Sequence, residues 1–209
     1  MNEELAEEIQ YEVSILVKSG FYSPMDINEI IEEQFIGENF NFSEIDNIID
    51  KELNSRFEEL KDCKFIFFNS LKKSFIELAK NNIVSIHNAG FDFEDGVNDA
   101  MEIYTHLVNN KFDVRGFVFY SFYDIEECIT DDVLYLSFGD YNQDKDLALN
   151  IGEEIFETLK TNNLEVHWNH DVDERISIKP FKWMKKYEED EIYEMEGAVE
   201  TYIKLNSEG

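Results

Sequence analysis

Tyr120, Asp124 and Glu126 lie on one short stretch, and His87 and Arg175 stand well before and after it in the chain. If the strands that carry them lie side by side, they supply an acid/base pair with a cationic partner, enough for a small hydrolase or transferase using Asp124 and Glu126. The same residues have a plainer assignment. Asp124 stands where a cap would open a short helix containing Glu126, Glu127 and Cys128, Tyr120 reads as half-buried, and His87 beside Asn88 reads as a strand-end histidine. Caps are commoner than catalytic pairs, so the cap is the preferred reading. No GxSxG, HExxH, Walker glycine loop or GxGxxG occurs, which removes the commoner hydrolase, zinc-protease and nucleotide-binding classes.

The stretch from His167 to Glu174 concentrates residues that can ligate metal. On an extended strand, however, His167 and His170 point to opposite faces, whereas zinc needs convergent ligands. Asn169, Asp171 and Asp173 have the alternate spacing that opens a calcium loop, but Glu174 replaces its glycine and Pro180 its bidentate glutamate. No metal and no cofactor is expected. Cys63 and Cys128 are too far apart for a zinc knuckle or a CxxC pair and read as structural thiols.

The formal charge is -29 in 209 residues, which repels phosphate backbones and argues against nucleic-acid or anionic-membrane partners. Residues 1–62 carry 17 acids against 4 bases and residues 187–209 carry 8 against 1, so the two ends supply -20 of the total. The plain consequence is solubility. The sharper one is an acidic docking face for a basic protein, with Glu29, Glu32 and Glu33 on the second helix as its contact residues. The first residues lack the basic and apolar regions of a signal peptide, and no apolar run approaches the roughly 18 residues that span a bilayer. A reducing cytoplasm is the expected compartment.

The elements that must position these residues follow from hydrophobic period. Leu5, Ile9, Val13, Leu16 and Val17 mark a first helix ended by Gly20, and Ser23-Pro24 opens a second. Ile45, Ile48, Ile49, Leu53, Phe57 and Leu60 mark a third. After the apolar run 65–68, capped by Asn69 or Ser70, a helix carries Leu71, Phe75 and Leu78; Ile83 to Ile86 is a strand turned by Asn88-Ala89-Gly90. A helix over 97–108 is expected to turn Met101, Tyr104, Leu107 and Val108 inward. Phe117 to Phe122, apolar on both faces, reads as a central strand, and Val133 to Phe138 as its neighbour. A helix over 147–161 and a hairpin over 166–181 follow. The basic cluster Lys179, Lys182, Lys185 and Lys186 reads as pairing with the acidic tail, whose helical period runs through Ile192, Met195, Val199 and Ile203. The expected fold is α+β: a mixed, largely antiparallel sheet of four or five strands with helices packed on it, plus an N-terminal helical subdomain. The domain limits are 1–62, an α+β core over 63–186, and an acidic C-terminal helix over 187–209.

The run from Phe119 to Glu126, the run from Leu134 to Gly139, and the later Trp168, Arg175-Ile176 and Trp183 carry a resemblance. They resemble a bacterial family catalogued only as a domain of unknown function, with its FYHxQDxE and LYLxFG segments, Arg-Ile pair and final tryptophan. The likeness covers roughly residues 65–185. Ser121 and Tyr123 stand where the family has histidine and glutamine, while Asp124 and Glu126 match. The resemblance implies fold and limits rather than an activity. The lead functional expectation is a non-enzymatic binding or regulatory protein, inhibitor or immunity-like; the alternative is the small hydrolase or transferase.

Overall fold

The computed structural model describes residues 3–38 and 42–207. It divides into two compact units, one formed by residues 1–65 with 184–190 and the other by 66–183 with 191–209.

The first unit is helical: α1 (Glu3–Ser19), α2 (Pro24–Gln34) and α3 (Phe42–Leu60). Leu5, Ile9, Val13 and Leu16 of α1 are buried with Ile27 and Ile31 of α2 and Ile45 and Ile49 of α3. Gly20 ends α1 at φ +73, a conformation that costs glycine little. Ser23 and Asp26 form a reciprocal capping box at the start of α2, with Pro24 in its first turn, as the Ser-Pro pair implies. One expectation fails on α3. Phe57 is 61% exposed. Arg56 takes the inward position on the stripe of Ile49, Leu53 and Leu60, and its guanidinium donates to the carbonyls of Lys18 and Lys185.

The second unit is α+β. Its elements are α4 (Ile66–Lys80), β1 (Ile83–Ile86), α5 (Phe93–Asn109), β2 (Gly116–Phe119), α6 (Phe122–Asp131), β3 (Leu134–Asp140), α7 (Lys145–Thr161), β4 (Val166–His167), β5 (Ile176–Ile178) and α8 (Met195–Asn206). The sheet has five strands in the order β1-β2-β3-β5-β4. Only β1 and β2 are parallel, with Val84 opposite Phe117 and Ile86 opposite Phe119; they need a crossover, which α5 supplies. The other pairings are antiparallel, including the expected β4-β5 hairpin. Phe117 and Phe119 share a cluster with Val84, Ile86, Ala100, Ile103, Leu107 and Tyr202, so α5 and α8 cover that face. On the other face α7 comes close: an added Cβ on Gly116 would meet Ile151, and one on Gly152 would meet Trp168 and Phe138. The fold is therefore α+β with a mixed, mostly antiparallel sheet and an N-terminal helical region.

Several boundaries differ from the periodicity. The central strand ends at Phe119, and Phe122, expected on it, is the first residue of α6, because Ser121 caps a helix there. The apolar run at 66–68 is the first turn of α4, because Phe68 continues the buried stripe of Leu71, Phe75 and Leu78. The next helix begins early, capped by the Asp92 carboxylate accepting from the N–H groups of Glu94 and Asp95, and it buries Gly96, Ala100, Ile103 and Leu107. Met101 and Val108, expected inward, are exposed. The last helix begins only at Met195, and Ile192 is exposed ahead of it. Among the described residues no helix is long and apolar enough to cross a membrane.

Candidate functional site

Because β1 and β2 are parallel, both chains leave the sheet at the same end, the end where open sheets carrying parallel strands place ligands. The two exits are tied together. The N–H of Ala89 donates to the Tyr120 carbonyl at 2.9 Å, and those of Phe122 and Tyr123 donate to the carbonyls of Gly90 and Phe91. Asn88 and Gly90 take positive φ to make this turn. Here His87 Nδ1 and the Tyr120 hydroxyl form a hydrogen bond of 2.7 Å, both residues being buried. The imidazole stacks on Phe75 at 4.5 Å, and Tyr193 and Trp183 set ring edges against this pair. Burial pushes the Tyr120 phenol well above its ordinary range. The pair thus satisfies two polar groups inside an aromatic cluster.

Beside His87 lies a cavity of about 70 Å³, lined in part by Lys72, Ser85, Glu191 and Tyr193. Lys72 bridges Glu191 at 2.7 Å and the Tyr193 hydroxyl at 3.2 Å. Such a space holds roughly two waters, whereas ligand sites usually measure about 300–1,000 Å³.

Asp124 opens α6. Its Oδ2 accepts from the N–H of Ser121 at 2.9 Å and from the Ser121 hydroxyl at 3.0 Å, while its Oδ1 accepts from Arg175 at 2.7 Å. The Arg175 guanidinium also lies 4.5 Å from the centre of the Tyr135 ring. Asp124 therefore has the geometry of a capping-box carboxylate locked by a cation from the residue before β5. Glu126 is half-buried on the same helix, and Cys128 is buried with its thiol donating to the Phe181 carbonyl. Burial holds that thiol far above its ordinary range, so little of it is thiolate. The five candidate residues thus comprise a His87–Tyr120 pair, an Asp124–Arg175 pair, and Glu126. Ser121 escaped the sequence reading, although the Ser-x-x-Asp spacing of a capping box was there to find it.

In the stretch 167–174 the alternate Asn/Asp spacing makes turns. The N–H of Asp171 donates to the Asn169 side chain and that of Asp173 to the Asp171 side chain. His170 pairs with Glu153 at 2.7 Å and His167 approaches Glu165 at 3.6 Å. Lys185, grouped by sequence with the basic cluster, is 2% exposed, and its ammonium donates to the carbonyls of Gly20 and Lys186. The alternation of Phe181, Trp183, Lys185 and Tyr187 along an extended segment was the available signal for that burial.

Glu29, Glu32 and Glu33 are exposed on α2. With Phe35, Ile36 and Glu38 they line an open concavity of about 450 Å³, and Ile36 is 85% exposed.

No curated protein and no solved structure matches the chain. A family profile matches residues 2–187, extending the resemblance through the N-terminal helices as well as the sheet. The chain belongs to the family described as Domain of unknown function (DUF6891).

Proposed function

We propose that the protein is a non-enzymatic cytoplasmic binding module, regulatory in the manner of an inhibitor or immunity-like protein, whose second helix docks a basic protein. The observation that carries this reading is the concavity at the end of α2, whose lining combines Glu29, Glu32, Glu33 and Glu38 with the exposed Ile36. Exposed apolar surface beside charged groups is common in protein-recognition patches. The strong negative charge of the chain favours rapid encounter with a cationic partner and disfavours nucleic acid. Asp124 supports the same reading, because both its oxygens are committed to Ser121 and Arg175.

The test is capture of partners from lysate at low salt by the unmodified chain and by the triple variant Glu29→Lys/Glu32→Lys/Glu33→Lys. A basic protein should be retained by the first, lost from the second, and eluted near 0.1 M salt, where the Debye length falls to about 10 Å. Recovery of no partner, or equal recovery with both chains, returns these carboxylates to solubility alone.

A further inference from the structure

The first unit also carries a surface of opposite character. A groove of about 590 Å³ runs along α3, floored by Leu53, Phe57, Leu60 and Phe65 and rimmed by Arg56, Lys61, Lys185 and Lys186. The unit is otherwise strongly acidic, with Lys18, Lys51 and Lys64 as its other cations. Four of its basic residues thus line one apolar groove, and no Asp or Glu is among the described residues lining it. Arg56 and Lys185 are buried and hold backbone carbonyls, and Arg56 is also paired with Glu59 at 2.8 Å. Lys61 and Lys186 are exposed: Lys61 meets Glu58 at 3.5 Å in an exposed pair of little strength, and Lys186 makes no ion pair among the described residues.

We propose that this groove receives an acidic amphipathic helix of a partner protein. Its apolar residues would pack on Phe57 and Leu53, and its carboxylates would meet Lys61 and Lys186. Three observations select this occupant. A basic segment would meet the exposed ammonium groups of Lys61 and Lys186 with no carboxylate among the described lining residues. A small ligand needs a site that buries most of its surface, whereas Phe57 is 61% exposed and the groove is open along α3. The unit has no strand among its described residues to which an extended peptide could add, so side-chain packing of a helix is the recognition mode left to a polypeptide.

The experiment uses the full chain and a fluorescent synthetic helix of about 14 residues, four turns, with Leu and Phe along one face and Glu elsewhere. Its counterpart carries Lys in place of Glu. Fluorescence anisotropy should show saturable binding of the acidic peptide that weakens with salt. Lys61→Glu/Lys186→Glu and Phe57→Ser should each weaken it by about tenfold or more, with melting curves unchanged. Hydrogen exchange on the unmodified chain should show protection by the peptide at 53–65 and 185–187, which keeps the test valid if a variant misfolds. The proposal is overturned if the acidic peptide does not saturate, if the basic peptide matches it at this groove, if folded variants bind as before, or if protection falls elsewhere. It is equally overturned if sedimentation shows self-association that Phe57→Ser abolishes, since the occupant would then be a second copy.

Discussion

Arg175 holds Asp124 from across the turn: its Nη1 lies 2.7 Å from a carboxylate oxygen whose side chain is 5% exposed, while the arginine itself is 44% exposed. The pair is asymmetric, and the consequences of breaking it should be too. Asp124→Ala removes the cap of α6 and two Ser121 hydrogen bonds along with the ion pair, and should cost about 2–3 kcal/mol. Arg175→Ala leaves Asp124 with both Ser121 donors and removes a half-exposed cation with its contact to the Tyr135 ring, at about 1 kcal/mol. Urea unfolding of the two variants checks the order; equal costs would make the ion pair, rather than the cap, the source of the stability.

Gly96 of α5 lies against the ring of Phe119, where an added Cβ would come within 2.3 Å of a ring carbon. Gly96→Ala should therefore destabilise by about 1–3 kcal/mol despite alanine's better helix propensity. Phe119→Ala should cost about 3–5 kcal/mol, as for other buried aromatics. In the double variant the methyl occupies part of the space left by the ring, so the summed costs should exceed the measured one. A double-mutant cycle that adds within about 0.5 kcal/mol would separate the two residues.

The contact between Gly96 and Phe119 also marks where sequence pattern stops. Strand alternation located Phe119 and the hairpin, and Ser23-Pro24 located the start of α2, because each signal is local and of one period. The inward face of α5 was misplaced because its stripe uses Gly96 and Ala100, which no hydrophobicity count favours over Met101 and Val108. Arg56 and Lys185 defeated the pattern for the opposite reason: each is charged, yet buried by carbonyls from segments distant in sequence. The Asp124–Arg175 pairing depends on β3 and β5 being neighbours, and sheet order is not written in any single segment. A helix start near Asp124 was legible, since it needs only neighbouring residues, but the cap itself is Ser121, with Asp124 as its capping-box partner inside the first turn.

Burial raises the phenols of Tyr120, Tyr141 and Tyr202 above their ordinary value. In the folded chain these tyrosines hold their protons where the unfolded chain has lost them. Their contribution to stability is complete below pH 10 and falls as pH rises beyond it. An alkaline titration followed by tyrosinate absorbance should show a reversible early phase from the exposed tyrosines, then a late phase coinciding with loss of helical circular dichroism. Tyr120→Phe should reduce the late amplitude and leave the early one. Ionisation of all ten tyrosines in one phase before any loss of structure would contradict the burial.

Asp99 on α5 is a carboxylate whose environment works against its charge. Partial burial raises its pKa, and Asp95, Glu102 and Glu196 add like-charge repulsion, opposed only in part by a hydrogen bond from the Gly90 backbone. The folded chain therefore keeps the proton on Asp99 at pH values where the unfolded chain, titrating near 3.8, has released it. Stability from this group is present below that value and falls as pH rises through the folded pKa. Asp99→Asn retains an oxygen for the Gly90 N–H and removes the charge. Relief of its like-charge neighbours one turn away on α5 amounts to about 0.5–1 kcal/mol, or roughly 1–4 °C in Tm for a domain of this size. The gain should be present at pH 7 and absent below pH 3.8. Glu102→Gln, which relieves one of the three repulsions, should gain less. Thermal melts of the three chains at both pH values decide the matter: a variant no more stable at pH 7, or one whose gain persists undiminished in acid, would show that Asp99 carries no electrostatic penalty in the fold.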